Sequence, residues 1–217
     1  MKTGNRITFP VGPLQCNCSI LFCDKTKKAI VIDPGDEFEK INAAIQKQGM
    51  EVAYAFHTHA HFDHCGATAD LKGLHPNMKI ALHKADHAIY ENLPLQGQMF
   101  GFPLKKPKAV DHFVTDEETF KVGEMEFQVL HTPGHSPGGV CLHFKEGQLA
   151  ETPVVFSGDT LFDKSIGRTD LWEGDHKQLI KSIKNRLLTL DDQTYVMPGH
   201  GPATTIGEEA HDNPFLR

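Results

Sequence analysis

Short apolar runs separated by polar turns dominate the first part of the chain. Runs of this length that are rich in Ile, Val and Leu predict β-strands. A β-meander is predicted from three such strands, at residues 7–11, 16–23 and 29–33. A helix should follow, because Asp36 and Glu39 have the spacing of a capping box and Ile41 and Ile45 fall on one helical face. Gly49 is predicted to end that helix.

The rest of the chain alternates strands and helices with no linker between two similar halves. Strands are predicted at residues 52–59, 79–82, 120–130 (a hairpin), 140–144, 154–156 and 195–197. Helices are predicted at residues 65–71, 84–92 and 175–188, and a long irregular loop at residues 93–108. Two sheets packed together and covered by outer helices would bury these elements best. We expect a single domain over residues 1–217.

Potential metal ligands follow four of the predicted strands. Residues 57–64 contain four histidines and one aspartate, and His135, Asp159 and His200 stand in later turns that contain Gly or Pro. Such turns can aim side chains back over one rim of a sandwich. Five imidazoles and two carboxylates are too many for one tetrahedral zinc ion but suit two divalent ions. The predicted ligands are His59, His61, Asp63, His64, His135, Asp159 and His200.

Composition and charge narrow the class of substrate. The net charge of -6 comes without a long block of like charge, so the chain has no basic footprint for nucleic acid or an anionic membrane. No window reaches the roughly 18 apolar residues that a membrane span needs. The five cysteines form no C-x-x-C pair, which is typical of reduced thiols in a cytoplasmic protein. We expect a small soluble substrate; no pattern indicates the oligomeric state.

The motifs around the predicted ligands resemble those of the metallo-β-lactamase-fold hydrolases. The family signature T-H-x-H-x-D-H corresponds to residues 58–64, and T-P-G-H, S-G-D-T and P-G-H-G correspond to residues 132–135, 157–160 and 198–201. The resemblance covers essentially the whole chain. It implies a four-layer αβ/βα sandwich with two mixed sheets and outer helices.

The same resemblance implies how the ligands are divided between two metal ions. His59, His61 and His135 would bind one ion, Asp63, His64 and His200 would bind the other, and Asp159 would bridge them. Zinc is the first expectation, although imidazole and carboxylate suit iron and manganese as well. Asp63 and Asp159 are expected to act in catalysis, where water between the two ions would supply a hydroxide nucleophile near neutral pH.

Within the family the chain is most similar to the glyoxalase II group, in particular to its short bacterial-type members. Asp159, the loop at residues 167–170 and the ending at residues 213–216 carry this similarity. It implies hydrolysis of glutathione thioesters such as S-lactoylglutathione. The alternative is a mononuclear iron persulfide dioxygenase, because that branch of the family has a loop similar to residues 167–170 and uses fewer metal ligands. Metal content would separate the two functions.

Several side chains near the motifs keep two possible roles. Asp33 either orients a ligand histidine or forms a turn before Pro34, and Arg168 and Asp170 either contact substrate or form a salt bridge within their loop. His57 is predicted to lie in the core or to support a ligand, not to bind metal.

A serine nucleophile is excluded on local structure. Residues 134–138 fit the pattern G-x-S-x-G, but that turn must lead into a helix, whereas the segment after Gly139 is predicted as a strand.

Overall fold

The first six strands form one mixed sheet in the order of the chain. The structure, a computed structural model, describes residues 2–217. The first three strands are antiparallel, and the third to sixth run parallel to one another. The strands are β1 (Asn5–Val11), β2 (Cys16–Phe22), β3 (Lys28–Ile32), β4 (Glu51–Phe56), β5 (Lys79–His83) and β6 (His112–Val114).

The second sheet also has six strands and contains one parallel pair. Its order is β14-β13-β10-β9-β8-β7, and β10 and β13 are parallel. The strands are β7 (Thr119–Val122), β8 (Met125–His131), β9 (Val140–Phe144), β10 (Val154–Gly158), β13 (Tyr195–Pro198) and β14 (Thr204–Thr205). A separate two-stranded ribbon follows β10 and consists of β11 (Leu161–Phe162) and β12 (Ser165–Ile166).

Helices cover the outer faces of both sheets. Ile41 and Ile45 pack on the outer face of the first sheet, and Leu179 and Ile183 pack on that of the second. The helices are α1 (Phe38–Gln48), α2 (Phe62–Cys65), α3 (Thr68–Leu74), α4 (His87–Glu91), α5 (Leu93–Phe100), α6 (His176–Ser182) and α7 (Ile206–Asp212). Among residues 2–217, none has the length and apolar character needed to cross a membrane.

The main core lies between the two sheets. Phe56 of the first sheet packs there in edge-to-face contact with Phe120 and Phe127 of the second, with ring centroids 5.3 and 5.7 Å apart. Helix, sheet, sheet and helix therefore form four layers. The predicted fold class, two mixed sheets with outer helices, is confirmed.

The predicted capping box of α1 is wrong, whereas its predicted end is correct. The residue before the helix is Glu37, which has a left-handed backbone (φ 51°) and makes no side-chain cap. The carboxylate of Asp36 instead accepts a hydrogen bond from the backbone N–H of Glu37. Gly49 ends the helix in the left-handed conformation that glycine adopts without strain.

The predicted irregular loop at residues 93–108 is half wrong, because α5 occupies its first eight residues. Pro94 favoured a loop in the prediction, but it lies in the first turn of α5. Backbone N–H groups in the first turn of a helix have no intrahelical acceptor, so the N–H that proline lacks is not needed there. Gly101 ends the helix with φ 79°. The segment from residue 102 to β6 is irregular, as predicted.

Other boundaries also shifted. The strand predicted to reach residue 59 ends at Phe56, and the helix predicted at residues 65–71 is two short helices, α2 and α3. The helix predicted at residues 175–188 has Asp175 as its N-cap and finishes in a π-helical turn at Ile183–Leu187. The short elements β6, β14 and α7 were not predicted.

Candidate metal centre

The ends of β4, β8, β10 and β13 meet at one rim, and the seven predicted ligands lie there together. The turn that carries His200 comes very close to its neighbours. A Cβ atom at Gly199 would overlap the carboxylate of Asp159 and the ring of His64. Only glycine therefore lets this turn approach the other strand ends.

Three imidazole rings form a compact group that we call the first triad: His59, His61 and His135. Nε2 of His135 lies 3.2 Å from Nε2 of His59 and 2.9 Å from Nδ1 of His61. All three residues are buried. Ligand atoms around a tetrahedral zinc ion at 2.0–2.1 Å lie about 3.3 Å apart. The first triad thus has the spacing of three ligands to one ion.

Two imidazole rings and one carboxylate form the second triad: Asp63, His64 and His200. Nε2 of His200 lies 3.2 Å from Nε2 of His64 and 3.2 Å from Oδ2 of Asp63. The side chain of His200 is 26% exposed and that of Asp63 is 15% exposed. The second triad is therefore the more open one, and it contains a negative charge.

Asp159 lies between the two triads. Its Oδ2 is 3.6 Å from Nε2 of His135 and 3.7 Å from Nε2 of His200, and its Oδ1 is 3.5 Å from Nε2 of His64. Oδ1 is buried and accepts no hydrogen bond from the described residues. A buried carboxylate oxygen without a partner is costly, and a cation would satisfy it. The donor set therefore fits a pair of divalent ions.

The outer nitrogens of two ligand rings are held by backbone carbonyls. Nδ1 of His135 donates to the carbonyl oxygen of Arg168 at 2.7 Å, and Nδ1 of His200 donates to that of Leu14 at 3.0 Å. A carbonyl only accepts, so each Nδ1 carries the proton and each Nε2 presents its lone pair to the centre of the site.

Asp33 contacts a histidine of the second triad directly and a histidine of the first triad through Thr58. It is buried, and its Oδ2 lies 3.0 Å from Nδ1 of His64. The same carboxylate accepts hydrogen bonds from the backbone N–H and the hydroxyl of Thr58, whose hydroxyl is 3.1 Å from Nδ1 of His59. Of the two roles considered for Asp33, these contacts correspond to orienting ligand histidines.

The superfamily model for metallo-beta-lactamases matches residues 11–200. The chain belongs to the metallo-β-lactamase superfamily. Hydroxyacylglutathione hydrolase GloC of Haemophilus influenzae is 40% identical over 211 residues, which are 95% of this chain and 95% of that protein. The similarity to the superfamily and to its glyoxalase II group, inferred from the motifs, is confirmed.

Solved structures of the superfamily share the fold over nearly the whole chain. BLEG-1, a B3 metallo-beta-lactamase, is 39% identical with a TM-score of 0.88 and covers 97% of this chain and 99% of its own. TTHA1623 in a di-iron-bound form is 41% identical with a TM-score of 0.85, and the match covers 97% of this chain and 100% of that chain. ETHE1 from Myxococcus xanthus is 25% identical with a TM-score of 0.76, and the match covers 96% of this chain and 83% of that chain.

Asp86 is a supporting residue of this superfamily site that sequence reasoning missed. It is buried, and its carboxylate accepts hydrogen bonds from the backbone N–H of Ala60 at 3.0 Å, the hydroxyl of Ser136 at 2.8 Å and the backbone N–H of Gly138. It therefore ties the loop of His59 and His61 to the turn of His135. Burial raises the pKa of Asp86, and its three hydrogen-bond donors counteract part of that rise.

Asn17 supports the second triad in a similar way and was also missed. Its side-chain amide donates to the carbonyl oxygens of Pro198 at 3.0 Å and Gly201 at 2.9 Å, on both sides of His200. Its backbone N–H donates to Gly199 at 2.7 Å. Neither Asn17 nor Asp86 stands in a motif, so nothing local in the sequence indicates these contacts.

His57 lies outside both triads, in the kind of position that was predicted for it. Its ring is fully buried and Nε2 is 3.2 Å from the hydroxyl of Thr68 on α3. Burial lowers the pKa of His57 to about 4, so the ring is neutral near pH 7.

Arg168 and Asp170 form a salt bridge with each other at the surface of their loop. Two nitrogens of Arg168 donate to the two carboxylate oxygens of Asp170 at 2.7 and 2.8 Å. This pairing lowers the pKa of Asp170 to about 2. Of the two roles considered, the contacts correspond to a salt bridge; contact with substrate stays a prediction. The backbone carbonyl of Arg168 is the group of this loop that accepts a hydrogen bond from His135.

Proposed function

We propose that the protein is a hydrolase with two metal ions that cleaves glutathione-type thioesters such as S-lactoylglutathione. In this proposal each triad would bind one divalent ion, zinc foremost, and Asp159 would bind both. The observation that carries the proposal is the unpartnered Oδ1 of Asp159 between two complete triads. The similarity to hydroxyacylglutathione hydrolase GloC supports the substrate class, and the di-iron form of TTHA1623 supports two ions and keeps iron as an alternative.

The reaction adds water across the thioester bond. Divalent ions at this site would lower the pKa of water toward 7 and polarise the thioester carbonyl. A carbon–oxygen bond forms, the carbon–sulfur bond breaks, and the products are a carboxylic acid and a thiol. The thiolate is a good leaving group, so the site needs no strong general acid beside sulfur.

The side chains contribute orientation and proton acceptance. The carbonyls of Arg168 and Leu14 keep the ligand nitrogens in the required tautomer. Asp63 is the carboxylate at the more open side of the centre, with Oδ2 3.2 Å from Nε2 of His200. From there it can accept the proton that water releases. A cytoplasmic location accords with five free, buried cysteines.

Metal content and turnover measured on one preparation test the proposal. We expect close to two ions per chain and hydrolysis of S-lactoylglutathione in proportion to metal content. A β-lactam and an oxygen ester of the same acid are the comparison substrates, because the B3 metallo-beta-lactamase BLEG-1 is 39% identical. One iron per chain with oxygen uptake on glutathione persulfide would contradict the proposal and favour the dioxygenase. Turnover of the β-lactam alone would contradict the substrate class.

A further inference from the structure

An apolar groove of about 500 Å³ opens beside the first triad. Its walls come from α4 and α5 on one side and from the turn after the 167–170 loop on the other. The lining includes the apolar side chains of Ile89, Leu95 and Trp172 and the amide of Asn92. Volumes of this size are typical of sites for small molecules.

The groove borders the candidate metal centre at Trp172, which lines the groove and lies next to His61. The ring of Trp172 lies 5.6 Å from the ring of His61, between centroids. At the floor of the groove, the amide of Gln96 accepts a hydrogen bond from the N–H of Phe62 at 3.0 Å and donates to the carbonyl of Ala60 at 3.1 Å. Both bonded groups flank His61. The groove is therefore within reach of a substrate whose carbonyl lies at the first triad.

The charge of the groove shows which half of a thioester it suits. Among the described residues that line it, the carboxylate of Glu173 is the only ionisable group. Glutathione carries two carboxylates, which would lose hydration there and face a like charge. The acyl half of the substrate needs no charge. An apolar acyl group gains free energy on the same surface.

Exposed apolar side chains extend the groove outward. Leu95 is 54% exposed and Phe100 is 41% exposed. The ring of Phe100 lies 6.3 Å from that of Trp172 in an edge-to-face arrangement. A patch of this kind next to a catalytic centre is typical of a ligand-binding groove.

We propose that this groove binds the acyl group, and that the substrate carries an uncharged, apolar acyl chain longer than lactoyl. This inference rests on the proposed thioester hydrolysis, because that reaction places a carbonyl at the mouth of the groove. The glutathionyl half of the bound substrate then extends from the metal centre in another direction.

Binding to the groove can be measured without metal and without turnover. Trp172 is the single tryptophan of the chain, so its fluorescence reports directly on the groove. We would titrate metal-free and metal-loaded protein with straight-chain alcohols from butanol to octanol. The dissociation constant should fall by up to about fourfold per methylene group. No dependence on chain length would overturn the proposal.

A matched pair of variants localises the effect. Leu95 and Leu74 are 54% and 53% exposed. Of these two leucines, only Leu95 lines the groove. L95D should weaken octanol binding by about tenfold, and L74D should leave it unchanged. Equal losses in the two variants would overturn the proposal. Self-association of the wild type that L95D abolishes, seen by sedimentation velocity, would assign the face to a second copy instead.

Kinetics separate failure of this inference from failure of the proposed function. With metal-loaded protein, kcat/KM should rise from S-acetylglutathione to S-octanoylglutathione, and L95D should flatten that rise relative to L74D. If all thioesters are hydrolysed at rates independent of acyl length, the groove proposal fails and the proposed function stands. If none is hydrolysed although the alcohols bind with the expected length dependence, the proposed function fails and an apolar ligand site remains.

Discussion

The two triads of the candidate metal centre differ in depth and in composition. The first triad consists of three buried imidazoles on loops that Asp86 joins directly. Both triads join the two sheets, because His59 and His61 follow β4 and His135 follows β8, whereas Asp63 and His64 lie on α2 after β4 and His200 follows β13. The side chain of His200 is also 26% exposed. Groups that are partly exposed to solvent open more readily than fully buried ones. We therefore expect the ion of the second triad to exchange first.

Removing Asp159, the proposed shared ligand, should have the largest effect. Asp159→Ala should lower kcat/KM for S-lactoylglutathione by more than about 100-fold, which exceeds the usual loss on removing a group that only supports a ligand. Bound metal measured after gel filtration should fall below two ions per chain. Asp212→Ala, at an exposed position on α7, is the control. Full activity of Asp159→Ala would contradict the bridging role.

Removing Asp86 should affect the first triad and the stability of the fold. Asp86→Ala leaves three buried donors without an acceptor, at about 1–3 kcal/mol for each unsatisfied group. We expect the metal-free variant to lose about 3 kcal/mol of unfolding free energy, measured in urea. We also expect the ion of the first triad to bind about 10- to 100-fold more weakly.

Asp163→Ala, in the exposed turn between β11 and β12, is the matched control for Asp86→Ala. An unchanged urea midpoint in Asp86→Ala would show that its three hydrogen bonds do not support the loops. If Asp86→Ala weakened the ion of the second triad more than the ion of the first triad, Asp86 would not be the specific support of the first triad.

Removing Asn17 should affect the second triad alone. Asn17→Ala deletes two hydrogen bonds that flank His200, so competition with a chelator should show about tenfold weaker binding of the more weakly held ion. The tightly held ion should be unaffected. Asn77→Ala, in an exposed turn, should behave as wild type. Equal weakening of both ions would mean that the triads are coupled and not independently supported.

The smallest effect concerns pH and the element that leads into the His135 turn. The rings of His83 and His131 stack with centroids 4.1 Å apart. Burial, together with the neighbouring His131, lowers the pKa of His83 to about 4. The unfolded chain, with a histidine pKa near 6.5, therefore binds more protons between these values. Stability should fall as pH drops from about 6.5 to 4 and be unaffected by this group above pH 7.

Replacing His83 should reduce that slope. His83→Gln should flatten the fall of the thermal midpoint of metal-free protein between pH 6.5 and 4, whereas His211→Gln, at an exposed site on α7, should not. Identical slopes for His83→Gln and wild type would show that the His83–His131 stack does not resist protonation.

Local chemistry made much of this architecture predictable. Apolar runs of strand length predicted most strands of both sheets, and Gly49 predicted the end of α1, because each depends on only a few neighbouring residues. The candidate ligands were equally predictable in identity. They follow strands in turns that contain Gly, Pro or histidine or, for Asp63 and His64, in the short helix α2, and strand ends at one rim are close in space.

Contacts between distant segments were decided by the tertiary structure alone. Asp86 meets Gly138 across 52 residues and Asn17 meets Pro198 across 181, and no periodicity or motif links such positions. The groove beside His61 likewise requires α5 to be helical, which Pro94 concealed, and requires Trp172 to come from a remote loop. The sequence by itself determined which residues are candidates for binding metal. The packing of the loops determined how those residues are oriented and which surface a substrate meets beside them, because both depend on hydrogen bonds between segments that only the folded chain brings together.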